Sequence, residues 1–202
     1  FMTEGTGNGW LDVYWYLAGL SLLAFALVSS TEFPALELDP QSNSAKDFIA
    51  MLKLTAKPLV FVFVISAFLY VLIEQGIGSW LPTFNNEVLH LPSQLSVQIT
   101  SIFAASLAAG RLSAGFILRF IPWHLLCNIC LLAMAALVLL TLPLTHEIQP
   151  DPDVTLWTAP LSAYLLPLIG FFMAPIYPML NSAILTSLPQ QQHAAMTGLI
   201  VV

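Results

Sequence analysis

Long apolar stretches separated by short polar segments run through the whole chain. A helix needs about 20 residues to cross a bilayer, and the stretches that reach this length are Trp10 to Ser30, Pro58 to Phe84, Leu95 to Leu118, Trp123 to Leu144 and one within Val154 to Leu188. A last stretch, Ala194 to Val202, is too short to cross about 30 Å of hydrocarbon. The pattern predicts an all-α polytopic membrane protein with five complete transmembrane helices and a truncated one, so we expect a fragment cut inside a helix.

The polar segments divide the chain further. Phe1 to Gly9 lacks a basic n-region, so we interpret it as a loop that precedes the first span. Thr31 to Lys57 is the longest connection, and its second half reads SAKDFIAMLKL. This half is interpreted either as a short amphipathic helix on the membrane surface or as a partly ordered linker. The predicted organisation is a loop and helix at 1–30, a linker at 31–57 and a helical bundle at 58–202.

The composition supports the membrane interpretation. Hydrophobic residues make up 58% of the chain and charged residues 8%, whereas soluble domains average about 25% charged residues. The formal net charge of -6 reflects loop carboxylates and a shortage of Lys and Arg. The chain therefore lacks the basic surface of a nucleic-acid-binding protein, and we expect a lipid bilayer and no nucleic acid as its surroundings.

The basic residues all fall on one side of the predicted membrane. They are Lys46, Lys53 and Lys57 after the first span, and Arg111 and Arg119 around the turn from the third span to the fourth. The connections on the other side, 85–94 and 145–153, contain acids but no Lys or Arg. By the positive-inside rule the linker 31–57 is cytoplasmic. We expect an integral protein of the cell (inner) membrane.

Glu74 is the only charged residue of the second span. Ionisable groups in transmembrane segments usually face a protein interior or a water-filled path. Tyr70 lies one turn before Glu74, and Ile77 and Leu81 continue the same helix face. This face either lines a polar cavity, where Glu74 accepts hydroxyl groups of a solute or takes up a proton, or packs so that a neighbouring helix holds Glu74.

The residues after Glu74 weaken or bend the helix. Gly76 and Gly78 permit close packing or local bending, and Pro82 removes a backbone hydrogen bond. The outer part of this span is therefore either a movable gate or a close-packed contact. Trp80 belongs either to an interfacial aromatic belt or to a surface on which a solute ring stacks.

The third span has many small residues, which we interpret as helix-packing positions. They form two stripes, one of Ser101, Ala105, Ala109 and Ser113 and one of Ser106, Gly110 and Ala114. Arg111 follows them near the inner boundary. Its guanidinium either anchors the topology or binds a carboxylate and stabilises one state of a moving bundle.

Proline interrupts the fifth apolar stretch, at Pro160, Pro167, Pro175 and Pro178. As one helix, Val154 to Leu188 would measure about 50 Å, too long for the hydrocarbon core. We therefore expect a break or an interfacial start. Tyr177 and Asn181 share a helix face beyond the Ala-Pro kink, and they either bind a polar solute or satisfy freed backbone carbonyls.

No motif of an enzyme is visible in the chain. Cys127 and Cys130 form a C-x-x-C inside an apolar span without a thioredoxin-like context, and the four His residues are scattered without zinc-ligand spacing. A phosphate-binding glycine loop and a hydrolase serine elbow are both missing from the sequence. We therefore expect no catalytic residue, metal or cofactor.

Three segments resemble one branch of a known transporter family. FLYVLIEQGIGSWLPTF (Phe68 to Phe84), GRLSAGFILRFIPWHLL (Gly110 to Leu126) and FFMAPIYPMLNSAILTSLP (Phe171 to Pro189) are similar to the seventh helix, the eighth-to-ninth turn and the tenth helix of fucose-permease-like sugar:proton symporters of the major facilitator superfamily. The resemblance implies that the chain runs from the family's sixth helix into its eleventh. The bundle 58–202 would be the C-terminal half, whose partner is the missing N-terminal half.

The resemblance also implies a function. It indicates a secondary transporter that moves a sugar or similar polar solute by alternating access with proton symport. The substrate-binding residues would be Tyr70, Glu74, Trp80, Tyr177 and Asn181, and the structural or gating residues would be Gly76, Gly78, Arg111, Pro175 and Pro178. A drug or organic-anion carrier of the same superfamily is the closest alternative, and a non-transporting membrane receptor or scaffold is an alternative from another class.

Overall fold

The computed structural model describes residues 9–31, 44–145 and 154–201. The chain divides into two units, residues 1–42 and residues 43–202. The described element of the first unit is helix α1, Gly9–Ser29. The loop expected before the first span, the first half of the linker and the acidic loop 146–153 lie outside the described residues.

The second unit is a helical bundle. Its helices are α2 (Ser44–Thr55), α3 (Pro58–Glu87), α4 (Ser93–Ile117), α5 (Trp123–Thr141), α6 (Ser162–Met173), α7 (Ile176–Ser187) and α8 (His193–Val201). No strand occurs in the part of the chain that the structure describes. Five segments in the two units are long and apolar enough to cross a membrane, namely Asp12–Ser29, Pro58–Glu87, Ser93–Ile117, Trp123–Thr145 and Ser162–Ser187. The predicted all-α architecture is confirmed.

Prolines mark the beginnings of three long helices. Pro58 is the first residue of α3, while Pro92 and Pro122 directly precede α4 and α5. The first turn of a helix has N–H groups without intrahelical partners, so the missing N–H of proline costs little there. The turn from α3 to α4 is short and is closed by Asn86, whose Nδ2 donates to the Leu91 carbonyl at 2.8 Å. Short turns of this kind make neighbouring helices antiparallel.

The fifth span is broken near its middle, as its proline content predicts. Helix α6 ends at Met173 and α7 begins at Ile176. Pro175 has no N–H to donate to the carbonyl four residues earlier, so the regular ladder stops there. Pro167 lies inside α6, and Pro160 precedes that helix. The late start at Ser162 and the break together remove the excess length.

Helices α4 and α6 pack backbone to backbone. A Cβ atom at Gly110 would clash with the Phe171 carbonyl oxygen and lie 3.0 Å from the Cβ of Ala174. Gly110 and Ala114 are buried on this side. Of the two small-residue stripes, the one that includes Gly110 therefore packs within the bundle, whereas Ser101, Ala105 and Ala109 of the other are exposed on this unit.

The expected helix of the linker is α2. It buries Met51 and Leu54, and Leu54 joins an apolar cluster that contains Val60 of α3 and Met196 of α8. Its other side exposes apolar side chains, those of Phe48, Ile49 and Leu52. Just after α2, Lys57 Nζ donates to Gln192 Oε1 at 2.7 Å. The end of the linker is thus bonded to the segment between α7 and α8.

Candidate functional site

Glu74 lies on the buried face of α3. At about 100° per residue, the buried residues of this helix fall on the same side as Glu74, and they are Val60, Phe63, Tyr70, Leu81 and Asn85. The Glu74 side chain is 20% exposed, and it stands about 24 Å along the helix from Pro58. The face predicted from the spacing of Tyr70, Glu74 and Leu81 is therefore the face that packs inside the bundle.

The partner of Glu74 is Arg111 of α4. Arg111 Nη2 lies 3.6 Å from Glu74 Oε1. This distance makes an ionic contact but is too long for a standard N–H···O hydrogen bond. The Arg111 side chain is 56% exposed while that of Glu74 is mostly covered. The Glu74 carboxylate is thus mostly enclosed by the bundle, and the more exposed Arg111 guanidinium lies next to it.

Two tyrosines stand next to this pair. The rings of Tyr70 on α3 and Tyr177 on α7 stack, with centroids 5.4 Å apart and planes 24° apart. Glu74 and Arg111 are the charged neighbours of Tyr70, yet its buried hydroxyl makes no hydrogen bond of standard geometry. We call Tyr70, Glu74, Arg111 and Tyr177 the charged-pair cluster. It joins α3, α4 and α7 at one place.

Asn181 follows Tyr177 by one turn of α7 and so lies on the same side of that helix. Its Oδ1 atom is buried and has no hydrogen-bond partner among the described residues. A buried acceptor left unpaired costs about 1–3 kcal/mol. The Tyr70 hydroxyl and the Asn181 amide are therefore two unsatisfied polar groups in the same part of the bundle, and a polar ligand or water would satisfy them.

Trp80 lies outside the charged-pair cluster. It comes six residues after Glu74, which places it about 240° around the helix axis, and its side chain is 71% exposed. The ring therefore faces away from the buried side of α3. Of the five residues expected to bind substrate, the structure joins Tyr70, Glu74 and Tyr177, places Asn181 beside them and separates Trp80.

A cavity opens on the other side of Arg111. Its volume is about 430 Å³, and its wall includes Arg111, Trp123, Pro175, Pro178, Ser182 and Thr186. The wall comes from α4, the beginning of α5 and one side of α7. Tyr70, Glu74, Tyr177 and Asn181 do not line this cavity. Arg111 alone belongs to both the cavity and the charged-pair cluster.

The predicted gating residues have different surroundings. Pro175 and Pro178 line the cavity next to the break between α6 and α7. A Cβ at Gly76 would meet no atom within 4 Å, and one at Gly78 would make an ordinary contact of 3.7 Å with Phe103. Close packing therefore does not explain Gly76. Helix α3 continues through Pro82 to Glu87.

Two features of the site were missed at the level of sequence. A carboxylate partner was one interpretation of Arg111, but Glu74 was not predicted as that partner, although Arg111 is the one Lys or Arg within the five candidate spans. Ser182 and Thr186 of the cavity wall also went unnoticed, because α7 turns them away from Tyr177. The presence of a single Lys or Arg within the spans is the signal that would have suggested the ion pair.

The described residues contain no group of three His, Cys, Asp or Glu side chains that could hold a metal ion. Cys127 and Cys130 are free thiols on α5. What the arrangement offers is polar recognition within apolar helices: a carboxylate, a guanidinium with further N–H donors, two phenols and an amide. Such groups suit the binding of a small polar molecule.

Comparison with known proteins fits this architecture. No curated protein and no solved structure matches the chain. The family model of the Major Facilitator Superfamily matches residues 3–202, which is nearly the whole chain. Together with the five membrane-capable helices, the match makes this an integral membrane protein of a family of secondary transporters. The chain belongs to the major facilitator superfamily.

Proposed function

We propose that this chain is the C-terminal half of a proton-coupled transporter that moves a sugar or similar small polar solute by alternating access. In this proposal Tyr70, Glu74, Tyr177 and Asn181 form one wall of a central site. The chain would then resemble the fucose-permease-like branch, and its N-terminal half would supply the facing wall. The observation that carries the proposal is the ion pair between Glu74 and Arg111 in the middle of the bundle.

Charges are costly in a membrane. An isolated charge at the bilayer centre is unfavourable, and ionisable residues there usually serve a pathway or a proton relay. Arg111 is 56% exposed, and an ion pair with an exposed partner contributes little to stability. Glu74 and Arg111 therefore need a reason other than folding. Solute and proton handling supplies one.

Each member of the cluster has a distinct task in the proposal. Glu74 accepts solute hydroxyls and carries the proton, while Arg111 holds the carboxylate when no solute is bound. The rings of Tyr70 and Tyr177 stack on each other, and the Tyr70 hydroxyl beside Glu74 donates to a solute oxygen. The unpaired Asn181 Oδ1 accepts a hydroxyl proton.

We assign the movement of the transport cycle to two places where the helical backbone is interrupted or bends easily. Gly76 and Gly78 lie directly after Glu74, and a Cβ at Gly76 would meet no described atom within 4 Å. In the proposal the α3 backbone bends at these two glycines. Pro175 and Pro178 lie at the break of the fifth span beside the cavity. Bending at these positions would close the site from one side and then from the other.

The test compares two carboxylates of the same helix in the full-length protein reconstituted in proteoliposomes. Glu74→Gln removes the charge inside the cluster, whereas the control Glu87→Gln removes the exposed carboxylate at the end of α3. We expect an imposed inward proton gradient to accelerate uptake of a labelled monosaccharide in wild type and in Glu87→Gln, but not in Glu74→Gln. Wild-type response of Glu74→Gln at every pH would refute the role of Glu74.

The same assay separates transport from the receptor alternative. Saturable binding of the solute to the reconstituted protein, without accumulation inside the vesicles, would favour a non-transporting receptor or scaffold. Accumulation that depends on an intact vesicle and saturates with solute concentration supports a transporter. Uptake of apolar drugs in place of sugars would favour the drug-carrier alternative.

A further inference from the structure

We infer that the cavity beside Arg111 binds a hydroxylated solute that bears one carboxylate, that is, a sugar acid of monosaccharide size. This inference rests on the proposed transport function and names the substrate class for it. The residues that carry it are Arg111, Ser182 and Thr186 on the cavity wall. Ser182 and Thr186 were not among the site residues predicted from the sequence.

The two charges of the cluster are unequally accessible. Glu74 is 20% exposed and Arg111 is 56% exposed, and Arg111 lines the cavity whereas Glu74 does not. A guanidinium has five N–H donors, and the single contact at 3.6 Å to Glu74 leaves donors available. A solute that enters the cavity therefore meets the Arg111 guanidinium, whereas the Glu74 carboxylate does not line the cavity.

The rest of the wall suits the body of a sugar acid. Ser182 and Thr186 lie one turn apart on α7 and offer hydroxyl groups. The indole of Trp123 and the small residues Ala114 and Gly115 provide apolar surface for C–H groups. The volume of about 430 Å³ lies within the usual range for small-molecule sites.

On this wall the chain offers one cation. Arg111 is the one Lys or Arg within the five candidate spans, since Lys46, Lys53, Lys57 and Arg119 fall outside them. A single carboxylate therefore matches the charge of this wall, whereas a dicarboxylate or a phosphate dianion would leave a negative charge without a partner on it. A neutral polyol would leave the guanidinium donors with weaker acceptors.

Charge balance links this substrate to the proton. Glu74 and Arg111 together carry no net charge, and a bound carboxylate adds one negative charge. A proton on Glu74 restores neutrality, and Arg111 then pairs with the solute carboxylate. Among the described residues, the other titratable group next to Glu74 and Arg111 is the phenol of Tyr70, on whose ring Tyr177 stacks. One proton would therefore travel with each sugar acid.

The experiment uses D-gluconate and sorbitol, two acyclic six-carbon polyols that differ in one terminal carboxylate. Uptake of each is measured with the full-length protein in proteoliposomes, for wild type, Arg111→Gln and the control Arg119→Gln, which lies outside the spans. We expect wild type and Arg119→Gln to prefer gluconate by about 10- to 100-fold, the ratio that a charged hydrogen bond gives. Arg111→Gln should reduce this preference to about onefold.

The outcomes separate the two proposals. Proton-driven uptake of sorbitol or a neutral hexose in preference to gluconate would overturn the sugar-acid inference and leave the proposed function standing. Wild-type gluconate preference in folded Arg111→Gln would overturn it as well. If Arg111→Gln does not fold, thermal stabilisation of the wild-type protein decides: stabilisation by gluconate but not by sorbitol supports the inference, and the reverse overturns it.

Discussion

At the scale of single residues, the site depends on polar groups whose partners are incomplete. Glu74 and Arg111 touch at 3.6 Å without a standard hydrogen bond. The buried Tyr70 hydroxyl lies beside these charges without a hydrogen bond of standard geometry, and the buried Asn181 amide oxygen has no hydrogen-bond partner among the described residues. Incompletely paired groups cost stability, and a ligand that pairs with them recovers it. This arrangement suits the binding of a polar solute.

The Tyr70 hydroxyl can be tested apart from its ring. Tyr70→Phe keeps the stacking on Tyr177 and removes the hydroxyl beside the two charges. We expect the apparent solute affinity of the full-length protein to fall about 3- to 10-fold, the value of one hydrogen bond, with an unchanged melting temperature. Transport kinetics in proteoliposomes measure this change. An unaltered KM would show that the hydroxyl makes no contact with solute.

At the scale of helices, the α4–α6 contact fixes where Arg111 stands. Gly110 directly precedes Arg111, and the backbone of α6 fills the space that a side chain there would need. This close approach fixes the rotation of α4. The same rotation places Arg111 between Glu74 and the cavity. A change at Gly110 thus acts on both packing and the charged-pair cluster.

Gly110→Ala should destabilise the bundle, because a methyl group would collide with Phe171 and Ala174. We expect a loss of about 1–3 kcal/mol, as for other overpacked positions. The matched control is Gly115→Ala on the same helix, where a Cβ would meet nothing within 4 Å and alanine is the better helix former. Thermal unfolding in detergent compares the two, and equal melting temperatures would contradict the close contact.

The sequence predicted local features better than pairings. The break at Pro175 follows from a missing N–H, and the buried face of α3 follows from the spacing of Tyr70, Glu74 and Leu81. The contact of Glu74 with Arg111 and the stack of Tyr70 on Tyr177 depend on how three helices rotate against one another. That rotation is set by contacts such as Gly110 on Phe171, which join residues far apart in the chain. Trp80 lies near Glu74 along α3, but its side chain points to another side of the helix. Its position along the span was therefore not sufficient to predict a place in the site.

At the scale of the whole molecule, the proposed mechanism depends on the orientation of the spans. The segregation of Lys and Arg predicts that the turn between α4 and α5 is cytoplasmic and that the turn between α3 and α4 is outside. The cavity beside Arg111 includes Trp123 at the beginning of α5, so it lies toward the cytoplasmic end of the bundle in this orientation. Solute released from the charged-pair cluster would pass through it.

Cysteine labelling checks this orientation. Val88 and Phe120 are exposed apolar residues in the two turns, 42% and 73% accessible. In a full-length protein without its native cysteines, a membrane-impermeant maleimide should label Val88→Cys on intact cells. Phe120→Cys should react only after the membrane is opened. The reverse pattern would contradict the charge-based topology.

The central claim is that Glu74 carries a proton with the solute. The most direct measurement is the internal pH of proteoliposomes that contain the full-length protein, recorded with a trapped dye when D-gluconate or a monosaccharide is added without an imposed proton gradient. We expect solute entry to acidify the interior for wild type and for Glu87→Gln, and we expect no acidification for Glu74→Gln. Acidification by Glu74→Gln at the wild-type rate would contradict proton transport by Glu74.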